Sequence, residues 1–533
     1  MEGVVEVRGG RLRGVRRPGV WSFSGIPYAA SPAGPRRWQP PTPPPGWTGV
    51  RECDRFGPIA PQSPGMVELS MGGDDEEHSE DCLSLNVWTP GLDTGRRPVM
   101  VWVHGGSFVS GSGSSGLYRG GRLARDGDVV VVTFSYRLGI LGFLAHPALE
   151  EPGQRLSGGE PWTGFGNWGL ADQIAVLHWV REHVAAFGGD PGCVTLFGES
   201  AGGMSISALM AAPAARGLFH RAIVESGPPY TFTADRAAAR AEQLAAHLGV
   251  PMTREAMATV PADDLVRCAA EFGQQAANND DSSLLLMPVV DGGLLPADPA
   301  HEVASGSSSR VPLLIGTTRD ESSFFTVGNA TLRSLDEDGL LRWMRRLTPE
   351  PQVAKDLVDT VRTARAHRGE PVAPRDLWVA IATEYVFRLP TVRFADAHAA
   401  AASVGGPEVS GVPGVATYCY LFTWESPAFG GYLGSCHALD LPFVFGTVHN
   451  PAVQGFSGAG DDAFALSAVM REAWTAFARR GSPGGWPQWD ADRRPTTVLG
   501  PWPGEGGLEH RVDRPRDEEL EAMAATVVPR VAT

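Results

Sequence analysis

The chain has 533 residues, 43% of them hydrophobic and 20% charged, which suits a globular protein with a sizeable core. A formal net charge of −15 argues against a nucleic-acid-binding surface. Six cysteines without a Cys-x-x-Cys pair give neither zinc spacing nor a dense disulfide framework, and no apolar stretch approaches the roughly 20 residues that span a bilayer. The N-terminus lacks a basic segment followed by a long apolar run, so a cytoplasmic protein without membrane or nucleic-acid partners is expected.

Taken in order, residues 4–16 alternate Val and Arg around Gly9-Gly10, the pattern of a small hairpin. A proline-rich passage from Ser31 to Pro64 reads as irregular surface wrapping. The polar run from Gly72 to Asp81 reads as a solvated loop of the kind that can border a site. Short, continuously apolar runs follow at Val99–Val103, Val129–Phe134, Val194–Phe197, Ala222–Val224 and Leu313–Ile315. Runs apolar on both faces predict strands of a largely parallel sheet covered by helices on both sides, an α/β fold. The spacing of apolar residues from Leu170 to Phe187 predicts an amphipathic helix stopped by Gly188-Gly189. Residues 234–275 and 335–404 read as helical insertions above the sheet within one domain spanning 1–533. A late strand, Tyr418–Phe422, and a helix, Ala465–Arg480, close the pattern.

The chemistry is concentrated in Gly198-Glu199-Ser200-Ala201-Gly202, which an apolar run enters and a small-residue helical run leaves. Strand, sharp turn and helix are the context in which Gly-x-Ser-x-Gly exposes a nucleophilic serine; without a Cβ, Gly198 and Gly202 let the flanking backbones close together. Serine needs a base, an acid to orient that base, and donors for the developing oxyanion. Val101-Trp-Val-His104-Gly105-Gly106-Ser107 is a strand running into His-Gly-Gly. Its amides from Gly105, Gly106 and Ser107, with Gly106 and Ser107 preferred, join the amide of Ala201 as candidate oxyanion donors. The acid is expected after the strand ending at Gly316, where Asp320 and Glu321 are adjacent and composition does not separate them. Among 13 histidines the base candidates are His437, His449 and His510, with His437 downstream of the acid in a loop before an apolar segment.

These motifs, with Gly25-Ile-Pro-Tyr-Ala29, Glu80-Asp-Cys-Leu-Ser-Leu-Asn-Val-Trp88, Gly166-Asn-Trp-Gly-Leu-Ala-Asp-Gln173, Phe187-Gly-Gly-Asp-Pro191 and His437-Ala-Leu-Asp-Leu-Pro-Phe-Val-Phe-Gly446, cover nearly the whole chain. Together they resemble the type-B carboxylesterase/lipase family, and its bacterial para-nitrobenzyl-esterase-like members most. The resemblance implies an α/β-hydrolase fold and ester hydrolysis through an acyl-enzyme, with no cofactor and no metal. It implies a Ser200–His437–Glu321 triad, small-molecule ester substrates, and Phe324 and Phe325 lining the approach to the serine. It gives Glu199 either an electrostatic or a structural role, and it implies two buried ion pairs, Arg37 with Glu80 and Arg137 with Asp172. Ser322 stands where the family has glycine, Ser107 where it often has Gly or Ala, and Ala60 in the region that would pair with Cys82, so no bridge is expected there. An amide or carbamate hydrolase with the same triad, and a non-catalytic binding module on the same fold, are the competing expectations. The sequence leaves the oligomeric state open.

Overall fold

The computed structural model describes residues 3–65, 76–278, 284–308, 310–404 and 415–526. The hairpin expected over residues 4–16 forms from Val4–Val7 and Gly10–Arg13, paired antiparallel. Of the polar run from Gly72 to Asp81, residues 72–75 lie outside the described residues; Glu76 accepts hydrogen bonds from the Ser112 and Ser114 hydroxyls.

Among the described residues, the main sheet has eleven strands. In chain order they are β1 (Val15–Arg17), β2 (Val20–Pro27), β3 (Ser84–Thr89), β4 (Arg97–Val103), β5 (Val130–Phe134), β6 (Gly189–Glu199), β7 (Arg221–Glu225), β8 (Leu313–Thr318), β9 (Thr417–Phe422), β10 (Pro495–Leu499) and β11 (Glu509–Asp513). They lie in the order β11-β10-β9-β8-β7-β6-β4-β5-β3-β2-β1. Every pairing from β10 to β5 is parallel, and the pairings at both margins are antiparallel. Each continuously apolar run of the sequence is one of the central strands, because both faces are covered. Val99, Val101 and Val103 enter one core cluster; Met100 and Trp102 enter the other.

The chain leaves β4 for β5 on one side and returns to β6 on the other. The carboxyl ends of β4 and β6 therefore lie side by side, with Val103 opposite Gly198. Such a reversal opens a crevice beyond the strand ends, where ligands bind in open α/β sheets.

Helices cover both faces. Those used below are α1 (Gly139–Phe143), α2 (Trp168–His183), α3 (Ala201–Ala211), α4 (Ala234–Leu248), α5 (Arg254–Ala258), α6 (Ala262–Asn278), α7 (Glu337–Met344), α8 (Pro351–His367), α9 (Pro374–Thr383), α10 (Leu389–Val404), α11 (Asp461–Arg480) and α12 (Asp517–Thr526). The expected amphipathic character of α2 does not hold: every residue from Trp168 to Val180 is buried. The sheet lies on one side, and on the other α1 and the preceding loop close over it, with Trp162 stacked on Trp168 at 4.9 Å. Its polar residues face partners, Gln173 donating to the Ser205 hydroxyl at 3.1 Å. Gly188, at φ +76°, ends the short turn that follows α2, as a left-handed cap requires.

The stretches 234–275 and 335–404 are helical, built from α4 to α6 and α7 to α10. Thr233 and Thr253 cap α4 and α5 by accepting from backbone amides in the first turn. Two ion pairs expected from the sequence anchor the framework, Arg137–Asp172 fully buried and Arg37–Glu80 partly buried. Arg137 holds Asp172 through both oxygens, at 2.7 and 2.8 Å. Arg37 pairs with Glu80 at 2.5 Å and donates to the Val260 carbonyl at 2.6 Å, tying the N-terminal wrapping to the insertion just before α6. All six cysteines are unpaired.

Breaking the Arg137–Asp172 pair leaves a guanidinium buried without its counter-charge. Asp172→Ala is expected to cost about 3–5 kcal/mol of stability, read as a fall in denaturant midpoint or melting temperature. A loss below about 1 kcal/mol would mark the pair as energetically neutral.

Candidate active site

The last residues of β6 and the first of α3 meet at Ser200, whose backbone sits at φ 55°, ψ −124°. A side chain in this region is strained, and the surroundings hold it there. The Ser200 amide donates to the Glu225 carbonyl at 2.9 Å, and its carbonyl accepts from Met204 at 2.8 Å. A Cβ at Gly202 would lie 2.0 Å from the Val103 carbonyl oxygen, and one at Gly198 2.6 Å from the same atom. The glycines of the motif are thus required by the end of β4 pressing against the turn.

That strand end continues into the His-Gly-Gly loop. A Cβ on Gly105 would meet Glu199 Oε2 at 2.9 Å and Ser200 Cβ at 3.1 Å, so the loop runs directly against the serine. Gly106 at φ +111° and Ser107 at φ +55° turn the chain, and the Gly106 carbonyl accepts from Val109 and Ser110, both at 3.0 Å. Among the described residues, the amides of Gly106, Ser107 and Ala201 have no protein acceptor. His104 is buried and stacked on Tyr136 at 4.3 Å, with Nδ1 2.8 Å from the Gly105 carbonyl. Burial outweighs that hydrogen bond and lowers its pKa to about 4, so the ring is neutral and donates through Nδ1 to hold Gly105.

The acid and the base come from the loops after β8 and β9. Glu321 is fully buried; Oε2 lies 2.5 Å from His437 Nδ1, while Oε1 accepts from the Ser226 hydroxyl at 2.5 Å and the Thr318 amide at 2.8 Å. Asp320 has a different task. Its amide donates to the Ser435 carbonyl at 2.8 Å and its carboxylate accepts from the Ser435 amide at 2.9 Å, clamping the His437 loop to the Glu321 loop. Arg319 neutralises Asp320 at 2.7 Å, and the two adjacent acids are thereby told apart. Of the other histidines weighed from sequence, His449 stacks on Phe464 at 4.2 Å and His510 sits in the margin strand β11, away from this site.

His437 Nε2 points toward the elbow, 3.0 Å from Glu199 Oε1, without aligned hydrogen-bond geometry. Among the described contacts there is no hydrogen bond between the Ser200 hydroxyl and His437; both line one cavity. Catalytic contacts of this kind are often loose before substrate binds. Burial of His437 opposes its charge, but Glu199 and Glu321 on either side outweigh it and raise its pKa well above the usual histidine value.

Behind the histidine lie two further carboxyls that the sequence reading did not single out. Asp440 accepts from the Tyr420 hydroxyl at 2.9 Å, and Glu225 accepts from Trp474 Nε1 at 2.6 Å. Burial, then the charges of Glu199 and Glu321, push Asp440 up to about 7; burial and Asp440 raise Glu225. Ser226 was also missed, although it directly follows β7, at the strand end where a site residue is expected.

The cavity has a volume of about 370 Å³ and opens over Gly105, Gly106, Ser107, Glu199, Ser200 and His437. Phe324 and Phe325 both line it, in different ways. Phe324 is 6% exposed and packs into the core, whereas Phe325 is 43% exposed. The Phe325 ring lies parallel to Phe387 at 6.1 Å, and both stand over His437, at 5.2 and 5.0 Å. Phe387 comes from a π-turn at Glu384–Arg388 between α9 and α10, which no sequence pattern announces. No cluster of three or more potential metal ligands occurs among the described residues.

A carboxylesterase family model matches residues 1–504. The chain is 36% identical to the para-nitrobenzyl esterase of Bacillus subtilis (strain 168), over 93% of this chain and 94% of that one. It is 34% identical to the phenmedipham hydrolase of Pseudarthrobacter oxydans, over 93% and 95% respectively. Among solved structures, a Geobacillus stearothermophilus carboxylesterase superposes with a TM-score of 0.81 at 37% identity, covering 98% of this chain and all of that one (100%).

The charge balance at His437 has a measurable consequence. If the imidazole must be neutral to act, activity is present above its pKa and is lost as pH falls through it, so the raised value moves this limb upward. Glu199→Gln removes one of the two flanking charges and should shift the acidic limb of the kcat/KM profile to lower pH. An unmoved limb would make Glu199 a structural residue only.

Proposed function

Because the chain belongs to the carboxylesterase family and is a carboxylic ester hydrolase of the α/β-hydrolase fold, we propose that Ser200, His437 and Glu321 are its triad. The single observation that supports this most is the buried 2.5 Å contact between Glu321 and His437 Nδ1, with Nε2 directed toward the strained serine elbow. Ser200 Oγ attacks the ester carbonyl carbon, and its proton passes to His437 Nε2. The negative oxygen is received by the amides of Gly106, Ser107 and Ala201, while Glu321 stabilises the imidazolium and fixes its tautomer. The Gly105 amide completes the loop without being a favoured donor. His437 then gives its proton to the leaving alcohol, and water repeats the sequence on the acyl-enzyme.

The substrate is a small-molecule ester, and the residues of the mechanism need neither metal nor cofactor. The phenylalanine pair and the apolar cavity support substrates with an apolar group beside the reacting carbon. We read residues 1–533 as one domain with its insertions, working in the cytoplasm without nucleic-acid or membrane partners. The six unpaired cysteines support that setting. No helix among the described residues is long and apolar enough to cross a membrane.

Ser200→Ala should abolish ester turnover and fluorophosphonate labelling without loss of folding. Glu321→Gln should lower kcat by about 10³–10⁴, because an amide selects the wrong imidazole tautomer. Asp320→Asn should cost far less in kcat, since its contacts are to backbone and Arg319; the reverse order would exchange the two acids. Between the aromatic residues, Phe325→Ala should change the ratio of kcat/KM for bulky and small esters with little change in melting temperature. Phe324→Ala should cost about 3–5 kcal/mol of stability, as truncation of a buried ring does.

A further inference from the structure

The loop that carries the proposed oxyanion donors has two limbs. The outward limb, His104 to Ser107, presents the amides; the return limb runs from Ser110 to Ser115. The two press together at their glycines. A Cβ on Gly106 would lie 2.1 Å from the Ser110 carbonyl oxygen, and one on Gly111 2.5 Å from the Gly105 carbonyl oxygen. The Ser110 amide also donates to the Gly106 carbonyl at 3.0 Å. Backbones packed this closely have no slack, so a shift of the return limb moves Gly105 and Gly106 with it.

What holds the return limb is therefore part of the site. The Gly113 amide donates to the Ser135 hydroxyl at 3.2 Å, and its carbonyl accepts from Asn86 Nδ2 at 3.2 Å and the Thr133 hydroxyl at 2.5 Å. Ser112 and Ser114, on either side of Gly113, are both buried. Their hydroxyls turn to one carboxylate: Glu76 Oε2 accepts from Ser112 at 3.1 Å, and Oε1 accepts from Ser114. Among the described residues no cation pairs with Glu76, so both oxygens serve the loop. Hydrogen bonds to an ionised acceptor are about twice as strong as neutral ones. The backbone next to Glu76 is itself anchored. The Ile59 amide donates to the Glu77 carbonyl at 2.8 Å, the Ser79 amide donates to the Ile59 carbonyl at 2.9 Å, and Glu80 is paired with Arg37.

We propose that Glu76 is a positioning residue for ester hydrolysis: it latches the return limb through Ser112 and Ser114 and so fixes the amides of Gly106 and Ser107. The inference rests on the triad and oxyanion reading given above. Glu76 acts through the loop and touches neither substrate nor reacting atoms. Its contribution appears only when charge develops on the carbonyl oxygen, because donors held in place beforehand need no reorganisation at that moment. Without the latch the loop still folds, but its amides are less well aimed.

The test compares turnover of p-nitrophenyl acetate with inhibition by an alkyl trifluoromethyl ketone. Ser200 Oγ adds to the ketone carbon, the carbonyl electron pair becomes the oxyanion, and the serine proton moves to His437. Glu76→Ala should lower kcat by about tenfold or more, leave KM within about threefold, and raise the ketone inhibition constant by a factor that follows kcat/KM. Glu76→Gln, which keeps an acceptor for one hydroxyl, should fall between Ala and the parent. Replacing Ser112 and Ser114 by alanine in Glu76→Ala should add little further loss, since the three act as one unit. If Glu76→Ala does not fold, the Ser112→Ala, Ser114→Ala protein takes its place in the comparison with the parent. A lowered melting temperature with unchanged kcat and ketone affinity overturns the latch, and so do independent losses in the combined variant. Fluorophosphonate labelling separates the two levels. Parent protein not labelled at Ser200 overturns the nucleophile reading and the latch with it, whereas labelled parent with unaltered constants in Glu76→Ala overturns the latch alone.

Discussion

The approach of the β4 strand end to the serine elbow is the constraint from which the site follows. The Val103 carbonyl oxygen occupies the space where Gly198 or Gly202 would carry a Cβ. That contact fixes three things together. It forces the strained backbone at Ser200, aims the hydroxyl out of the strand edge, and brings the His-Gly-Gly loop into van der Waals reach of the same residue. A larger residue at either glycine would push β4 and α3 apart, and donors and nucleophile would separate together. Strain of this kind persists only where the surroundings over-determine it. Here Ser200 is pinned from behind by the Glu225 carbonyl and from above by Gly105.

Around that fixed point the electrostatics are unusual for a protein interior. Glu199, Glu225, Glu321 and Asp440 are all buried near a single imidazole. They cannot all carry charge without a large desolvation cost. The hydrogen bonds sort them. Glu321 receives a hydroxyl, an amide and the imidazole. Asp440 and Glu225, like Glu199, each keep one oxygen without a partner, and burial raises the pKa of Asp440 and Glu225. Glu199 and Glu321 are the two carboxyls that flank His437, where an imidazolium needs negative charge.

The cavity is completed by parts distant in sequence. The passage 61–65 is joined to the loop beyond Ser107 by Gln62, which accepts from the Gly111 amide at 2.6 Å and donates to the Gly111 carbonyl at 3.0 Å. The Arg37–Glu80 pair reaches the carbonyl of Val260 and so sets where α6 begins. Beside the cavity, the stretch 335–404 places Phe387 against Phe325 and His437, and its Thr383 hydroxyl accepts from the Ser322 amide at 3.1 Å. The Ser322 amide thereby seats the acid loop on α9.

By itself the sequence determined the central strands, because burial on both faces demands continuous apolar runs at Val99–Val103 or Leu313–Ile315. It determined the elbow, because only glycine tolerates the contacts at positions 198 and 202. Both are local requirements, visible in neighbouring residues. The margin strands Val20–Pro27, Ser84–Thr89 and Pro495–Leu499 carry mixed polar and apolar residues, and their pairing partners alone make them strands. The buried outer face of α2 depended on what the chain folds over it, which periodicity does not encode. The division of labour between Asp320 and Glu321 was likewise tertiary: adjacent carboxylates have the same chemistry until one finds the Ser435 amide and the other His437. Ser226 and Phe387 are ordinary residues in their own segments. Only the folding of distant stretches brings Ser226 to Glu321 and Phe387 to His437, because long-range contacts, not local propensity, decide which side chains share a space.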